Sequence, residues 1–477
     1  MTTTLPATDT TPAPAAPPAT PDLDAAALVA RLRATFDNGK TRSLDWRRGQ
    51  LKAMRKMLTE REPELQEALR ADLGKPPLEA YATDIGFVIN EIDYAARRLR
   101  RWTRGKRVPT PLATKPAKAR LVPEPLGVVL VIAPWNYPVH LALAPMVGAI
   151  AAGNAVVLKP SEIAPHTSNA LAHFLPEYLD PEAIAVVEGA VSETKALLVQ
   201  RFDHIFYTGN GKVGRVVMEA ASRHLTPVTL ELGGKSPVII DDSADLEVAA
   251  RRVALGKYLN AGQTCIAPDY ALVSRGKADQ FVELVRRSVF DFYGNEPRAS
   301  DDYARIVSDN HFKRLTGLLG SGDAVVGGDH DRATRYIAPT VLRNAAPDSP
   351  VMQDEIFGPI LPVVTVDSVD EAITFVNHRD KPLALYVFSK DNAVTDRVLD
   401  RTSSGGVCVN ATLFQAAAPG LPFGGVGESG MGAYHGKASF DVFSHMKPVL
   451  KKANRPDPDL AYPPYTEKKE KLVRRFL

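Results

Sequence analysis

The sequence predicts an α/β protein built from two successive blocks, and three observations carry that prediction. Short apolar runs such as Gly127-Val128-Val129-Leu130-Val131-Ile132-Ala133 have strand length. Their lack of polar alternation suits parallel strands buried on both faces. Between such runs lie stretches with apolar residues at helical spacing. Strand and helix then alternate from residue 127 to residue 377, the pattern of doubly wound α/β domains. The 477 residues are enough for two or three domains, and 45% hydrophobic with 24% charged residues is an ordinary globular balance.

In chain order, residues 1–21 are rich in Thr, Pro and Ala and read as a disordered tail. From Ala25 to Arg104 the spacing of Leu28, Leu32 and Phe36, and of Leu51, Met54 and Leu58, predicts amphipathic helices. Residues 107–125 alternate proline with small and basic residues, which suits an extended excursion from the body. Strands are expected at 127–133, 155–158, 184–187, 204–207 and 228–230, with helices at 139–152, 167–175 and 213–224. These elements and the N-terminal helices give a first domain over 22–106 and 126–232. A second domain, 233–431, should hold strands at 237–240, 271–273 and 362–366 and helices at 246–258, 280–291 and 369–377. A loop with a short strand is expected at 321–335. Residues 451–477 read as a polar tail.

Composition excludes several classes. A net charge of +3 argues for neither nucleic acid nor an anionic membrane as partner. The densest basic run, from Arg97 to Arg107, reads as solvated or facing another subunit. Two cysteines build no disulfide framework, so a reducing, cytoplasmic compartment is expected. Cys408, in an apolar strand, reads as a packing residue. No apolar run reaches 18 residues, so no membrane anchor is expected. No His/Cys cluster suggests a metal.

Four motifs stand out. Gly209-Asn210-Gly211-Lys212-Val213-Gly214 follows a strand, opens a helix and fits the dinucleotide fingerprint G-x-G-x-x-G. By its usual spacing the ribose-binding acid would be Glu231. Glu231-Leu232-Gly233-Gly234-Lys235-Ser236-Pro237 and Gly262-Gln263-Thr264-Cys265 set a carboxylate and a thiol among glycines. Pro134-Trp135-Asn136-Tyr137-Pro138 follows the first strand, where such sheets bind ligands. Glu355-Ile356-Phe357-Gly358-Pro359 is the fourth.

Together these segments resemble the aldehyde dehydrogenase superfamily, whose catalytic segments look like ELGGKSP and GQTC at this spacing. The resemblance runs from about Leu28 to Met446. The stretch from Pro422 to His445 resembles its class 3 branch, which includes fatty, aromatic and coniferyl aldehyde dehydrogenases. The implied fold is a Rossmann-type cofactor domain, an α/β catalytic domain and a small oligomerisation arm formed by 107–125 and 432–450. The implied chemistry is oxidation of an aldehyde to a carboxylic acid with NAD, and NADP also accepted. Cys265 is then the nucleophile, Glu231 the base that activates water, and Asn136 the oxyanion donor. The resemblance moves the adenosine ribose from Glu231 to Lys159 and Glu162. Trp135, Gly209, Asn210 and Gly214 belong to the cofactor cleft, Glu355 to the nicotinamide ribose, and Phe357 to packing beside the ring.

Many relatives carry Asp where this chain has Ala411, and Leu413-Phe414-Gln415-Ala416 should line the aldehyde tunnel, so the aldehyde itself stays open. A homodimer is expected. Two other functions stand beside this reading. A CoA-acylating dehydrogenase would generally lack Glu231. A structural protein on the same fold would be expected to lose Cys265 or Glu231.

Overall fold

The computed structural model describes residues 23–111 and 114–476. The expected disordered tail lies outside the described residues.

The first block is a six-stranded sheet. Its order is Gly430–Met431, Val228–Glu231, His204–Thr208, Val128–Ile132, Ala155–Lys159 and Ile184–Val186. All pairs are parallel except Gly430–Met431 against Val228–Glu231. Strand side chains alternate between faces. Val129 and Val131 therefore enter one hydrophobic cluster, while Val128, Leu130 and Ile132 enter the cluster on the opposite face. This double burial explains why the strand reads as a continuous apolar run. Helix His140–Ala152 is buried along its whole length, wedged between this sheet and the helices Leu44–Glu60 and Gly86–Thr103. From Val128–Ile132 the chain builds first to one side and later to the other. The sheet thus has a switch point beside that strand, where a ligand crevice is expected at the carboxyl ends.

The second block is a seven-stranded sheet ordered Asp323–Val326, Thr340–Arg343, Ile360–Val366, Tyr270–Ser274, Pro237–Ile240, Ala384–Phe388 and Gly406–Val409. Only its first pair is antiparallel. The third sheet is the arm: Lys106–Val108, Ala117–Pro125 and Ser444–Lys452, all antiparallel. The proline-rich excursion is therefore a strand pair extended by the C-terminal segment.

Several elements differ from the sequence reading. Helices Val191–Leu198, Asp309–Thr316 and Asn392–Arg401 and strand Ala384–Phe388 were not anticipated. The three helices are short, with few apolar residues to set a period. Helix Glu467–Phe476 lies in the segment read as a tail, and the arm strand runs on to Lys452. Cys408 is half-buried rather than buried, because Gly406–Val409 is an edge strand.

One buried ion pair fixes the loop after Val128–Ile132. Lys75 Nζ lies 2.7 Å from Asp84 Oδ2, with both side chains sealed from solvent. Asp84 Oδ1 accepts from the backbone N–H of Val139 and His140, both at 3.1 Å, at the start of the buried helix. Lys75 Nζ also donates to the Asn136 carbonyl at 3.2 Å. Removing one member strands the other charge, which costs about 3–5 kcal/mol. Lys75→Met should thus lower the unfolding free energy in urea by about that amount. Adding Asp84→Asn, which keeps the acceptor but removes the charge, should recover part of the loss. A single variant within about 1 kcal/mol of the parent would show that the pair does not hold this loop.

Candidate active site

Asn136 lies at the middle of the loop between strand Val128–Ile132 and helix His140–Ala152, and it is buried. Its amide Nδ2 donates to the Gln263 carbonyl at 3.1 Å. Its own carbonyl accepts from Asn260 Nδ2 at 2.8 Å as well as from Lys75. The loop is thus tied to the segment leading to Cys265.

That segment turns sharply. Asn260, Ala261 and Gly262 all have left-handed backbones, with φ of 52°, 51° and 74°. Asn260 and Ala261 bear the steric cost of that region, and their neighbours over-determine it. Gly262 is required for a second reason: a Cβ there would stand 2.2 Å from the Gly358 carbonyl oxygen. The Gln263 side chain locks the turn by donating to the Asn260 and Arg305 carbonyls and accepting from the Val307 N–H. Tyr137 Oη and Thr264 Oγ1 lie 2.5 Å apart. Cys265 keeps some surface open to the cleft. Burial pushes its thiol well up, with Glu355 and Glu231 adding to the effect, while the N–H groups of Cys265 and Ile266 oppose it.

Glu231 ends strand Val228–Glu231. It is buried, and neither carboxylate oxygen has a hydrogen-bond partner. Burial raises its carboxyl well above the usual range. An unpaired buried acid is costly, and such perturbed groups mark functional sites.

A cleft of about 1270 Å³ runs along the carboxyl ends of the first sheet and reaches Cys265. Asn136, Glu231, Trp135, Lys159, Glu162, Gly209, Asn210, Glu355 and Phe357 all line it. Gly214 is the correction. It packs against the sheet instead, and a Cβ there would meet Leu232 Cδ2 at 3.1 Å. It permits close packing of helix on strand and touches no ligand space.

The cleft suits a dinucleotide. Helix Gly211–Ser222 opens onto it, and the Asn210 side chain caps the Val213 N–H at 3.0 Å. The remaining N–H groups of that first turn favour an anion. Lys159 is buried, with Nζ 3.3 Å from the half-exposed Glu162 Oε2. Burial lowers its ammonium, and Glu162 partly offsets that. Such an acid–base pair can accept from and donate to a ribose diol. Trp135 meets Phe357 edge-on at 5.3 Å and His311 at 4.7 Å. Glu355 is raised to about 8, by burial and by Asp269. A Cβ on Gly233 would stand 2.0 Å from Glu355 Oε2, so any larger residue there must displace that carboxylate.

Sequence reasoning missed the framework behind these groups. Lys75, Asp84 and Asn260 lie outside the motifs. Lys235 and Gln263 lie inside them but were assigned nothing. Lys235 Nζ reaches Asp269 at 2.5 Å and the carbonyls of Val351 and Asp354, tying the Glu231 segment to the Glu355 loop. Their only sequence signal is that they are polar residues amid apolar or glycine-rich neighbours.

Comparison with known proteins agrees with this geometry. The aldehyde dehydrogenase family model matches residues 1–449. Aldehyde dehydrogenase family 3 member A2 of Mus musculus is 52% identical over 451 residues, covering 94% of this chain and 93% of that protein. A Rattus norvegicus protein named "Aldehyde dehydrogenase, dimeric NADP-preferring" is 50% identical, covering 91% and 97% respectively. The substrate-bound structure of Staphylococcus aureus AldH is 45% identical, covers 94% of this chain and 99% of that one, and superposes with a TM-score of 0.93. The chain belongs to the aldehyde dehydrogenase family and is an NAD(P)-dependent aldehyde-oxidising enzyme.

Proposed function

We propose that Cys265, Glu231 and Asn136 carry the reaction, with the aldehyde oxidised to the free acid. The supporting observation is that all three open on one cleft that also suits the cofactor. Cys265 Sγ attacks the aldehyde carbon. The Asn136 amide has two N–H donors, and the bond to Gln263 occupies one. The other is free for the developing oxyanion, together with the Cys265 N–H. When bound in the cleft lined by Trp135, Lys159, Glu162, Glu355 and Phe357, the nicotinamide would supply the acceptor for a hydride from the thiohemiacetal carbon. Collapse of the thiohemiacetal leaves an acyl thioester on Cys265. Glu231 then takes a proton from water, which attacks the thioester and releases the acid. Burial raises its carboxyl above the usual carboxylate range, so deacylation should quicken as pH rises and the carboxylate forms.

Residues 22–106 and 126–232 form the cofactor domain and 233–431 the catalytic domain in this reading. Lys159 and Glu162 bind the adenosine ribose, and NAD is preferred over NADP. The arm segments, 107–125 and 432–450, pair two copies of the chain. A relative bearing the word "dimeric" in its name supports this, as does an apolar arm face. A cytoplasmic enzyme fits a chain with two free cysteines and, among its described residues, no helix long and apolar enough to cross a membrane. Glu231 favours water over CoA as acyl acceptor.

Three outcomes test these roles. Cys265→Ala should abolish NADH formation at 340 nm while cofactor binding by fluorescence titration is retained. Cys408→Ala, on the edge strand, should stay within about threefold of the parent, as surface changes usually do. Substantial turnover by the first variant would remove Cys265 as nucleophile.

Glu231→Gln keeps the shape and removes the base. Rapid mixing should show a burst of NADH near one per site, then slow turnover that has lost the rise with pH. Added CoA should not restore the steady rate in the parent or exceed water as acceptor. A first turnover as slow as the later ones would place Glu231 before the thioester.

The parent should prefer NAD over NADP by about tenfold in kcat/KM, or about 1.4 kcal/mol. A 2′-phosphate beside Glu162 brings like charges together, while Lys159 attracts it. Glu162→Gln should narrow the ratio by improving NADP alone. An unchanged ratio would clear Glu162 of this role.

A further inference from the structure

The arm carries a charge asymmetry that the whole-chain total hides. Segments 97–125 and 444–477 hold 19 of the 58 basic residues and only five of the 55 acidic ones. The rest of the chain is net acidic.

The register of the arm sheet sorts five of its seven cations onto one face. Residues directly opposite in antiparallel strands point the same way. Arg107 pairs with Arg120, which pairs with Val449. Lys118 pairs with Lys451, and Val122 with Lys447. One face therefore presents Arg107, Lys118, Arg120, Lys447 and Lys451, all exposed. Glu124 is its one acid, and it is bonded to Lys447. The opposite face carries Val108, Ala117, Ala119, Leu121, Pro448 and Leu450, with Leu450 55% exposed, and only two cations, Lys106 opposite Leu121 and Lys452 opposite Ala117. That apolar face is the one suited to a second copy of the chain, so pairing would leave the basic face free.

One further feature extends the basic surface. Arg120 Nη2 donates to the Arg104 carbonyl at 2.8 Å, which joins the face to the end of helix Gly86–Thr103 and its Arg97, Arg100 and Arg101. Lys118 opposite Lys451 is a like-charge pair that costs stability in isolation, so folding alone gives no reason for it.

We propose that the basic face of the arm docks the enzyme on an anionic lipid surface. A sheet face is flat, and its long cationic side chains stand between small valines, which matches a plane of anionic headgroups. Its one ring is His445, opposite Glu124, with no Phe, Tyr or Trp, so it lacks the row of stacking platforms used for single-stranded nucleic acid. Docking is peripheral and needs no spanning helix. It does not depend on the catalytic assignments above.

The test is co-sedimentation of the full-length protein with phosphatidylcholine vesicles, with and without about one-third phosphatidylglycerol. Binding should favour the anionic vesicles by about tenfold at low salt. It should be lost at about 1 M salt, where screening shortens to about 3 Å. The triple variant Arg107→Gln, Lys118→Gln, Lys451→Gln should reduce partitioning by about tenfold. Its turnover of a short water-soluble aldehyde and its mass by light scattering should match the parent. Lys118→Arg with Lys451→Arg should retain binding, which separates charge from fold. Equal sedimentation with neutral vesicles, undiminished binding by the Gln variant, or release from vesicles by a competing DNA duplex would each overturn the proposal.

Discussion

The structure depends on how the backbone carbonyl of Asn136 is held. Lys75 and Asn260 both donate to it, from opposite blocks of the chain. The Asn136 amide answers by donating to the Gln263 carbonyl. A loop of the first block and the turn before Cys265 are thereby locked to each other. Hydrophobic contact is non-directional and would allow slippage of an ångström. Hydrogen bonds between buried groups do not, since each orphaned partner costs about 1–3 kcal/mol. The Lys75–Asp84 pair extends the same logic, with Asp84 also gripping the start of helix His140–Ala152. A buried ion pair is weak evidence for stability. Here its geometry serves placement of the Asn136 loop.

Around that fixed point the acids are left deliberately poorly solvated. Glu231 has no partner on either oxygen, and Glu355 sits among Asp269, Lys235 and Lys257 with its carboxyl raised to about 8. Lys257 is itself buried and drawn down to about 8, by desolvation first, with Asp269 pulling the other way. The thiol of Cys265 is pushed up by burial and by both glutamates. At rest the centre favours neutral forms.

Much of this was legible in the sequence, because the reactive groups lie in short glycine-bearing segments at strand ends. The doubly buried strands announced themselves as unbroken apolar runs, and the cores of the two large sheets follow from that. What stayed hidden was relational. Lys75 and Asp84 are nine positions apart with no local signal, and their partners lie about 55 to 61 residues further on. Gly214 matched a motif letter while its role is packing against Leu232. The tight turn at Asn260-Ala261 uses left-handed backbone at residues that rarely adopt it, so propensity points elsewhere. Short polar helices such as Asp309–Thr316 exist because the fold supplies a surface for Phe312 and Leu315, not because their own period is strong.

Net charge shows the same lesson in its sharpest form. A total of +3 is a sum over surfaces that never act together. Electrostatic attraction reaches only about 10 Å at 0.1 M salt, so a partner meets one face and not the chain's average. In the arm, strand alternation separates two chemistries that are interleaved in sequence. Residues 117–121 read Ala-Lys-Ala-Arg-Leu, an apparently featureless mixture. Folded into a strand with period two, the same residues put the alanines and the leucine on one side and both cations on the other. Three strands in fixed register multiply that division into a mainly apolar face, with Lys106 and Lys452 on it, and a basic face. Composition is blind to this, and a period-two reading of the excursion would have separated the two faces before any coordinates existed.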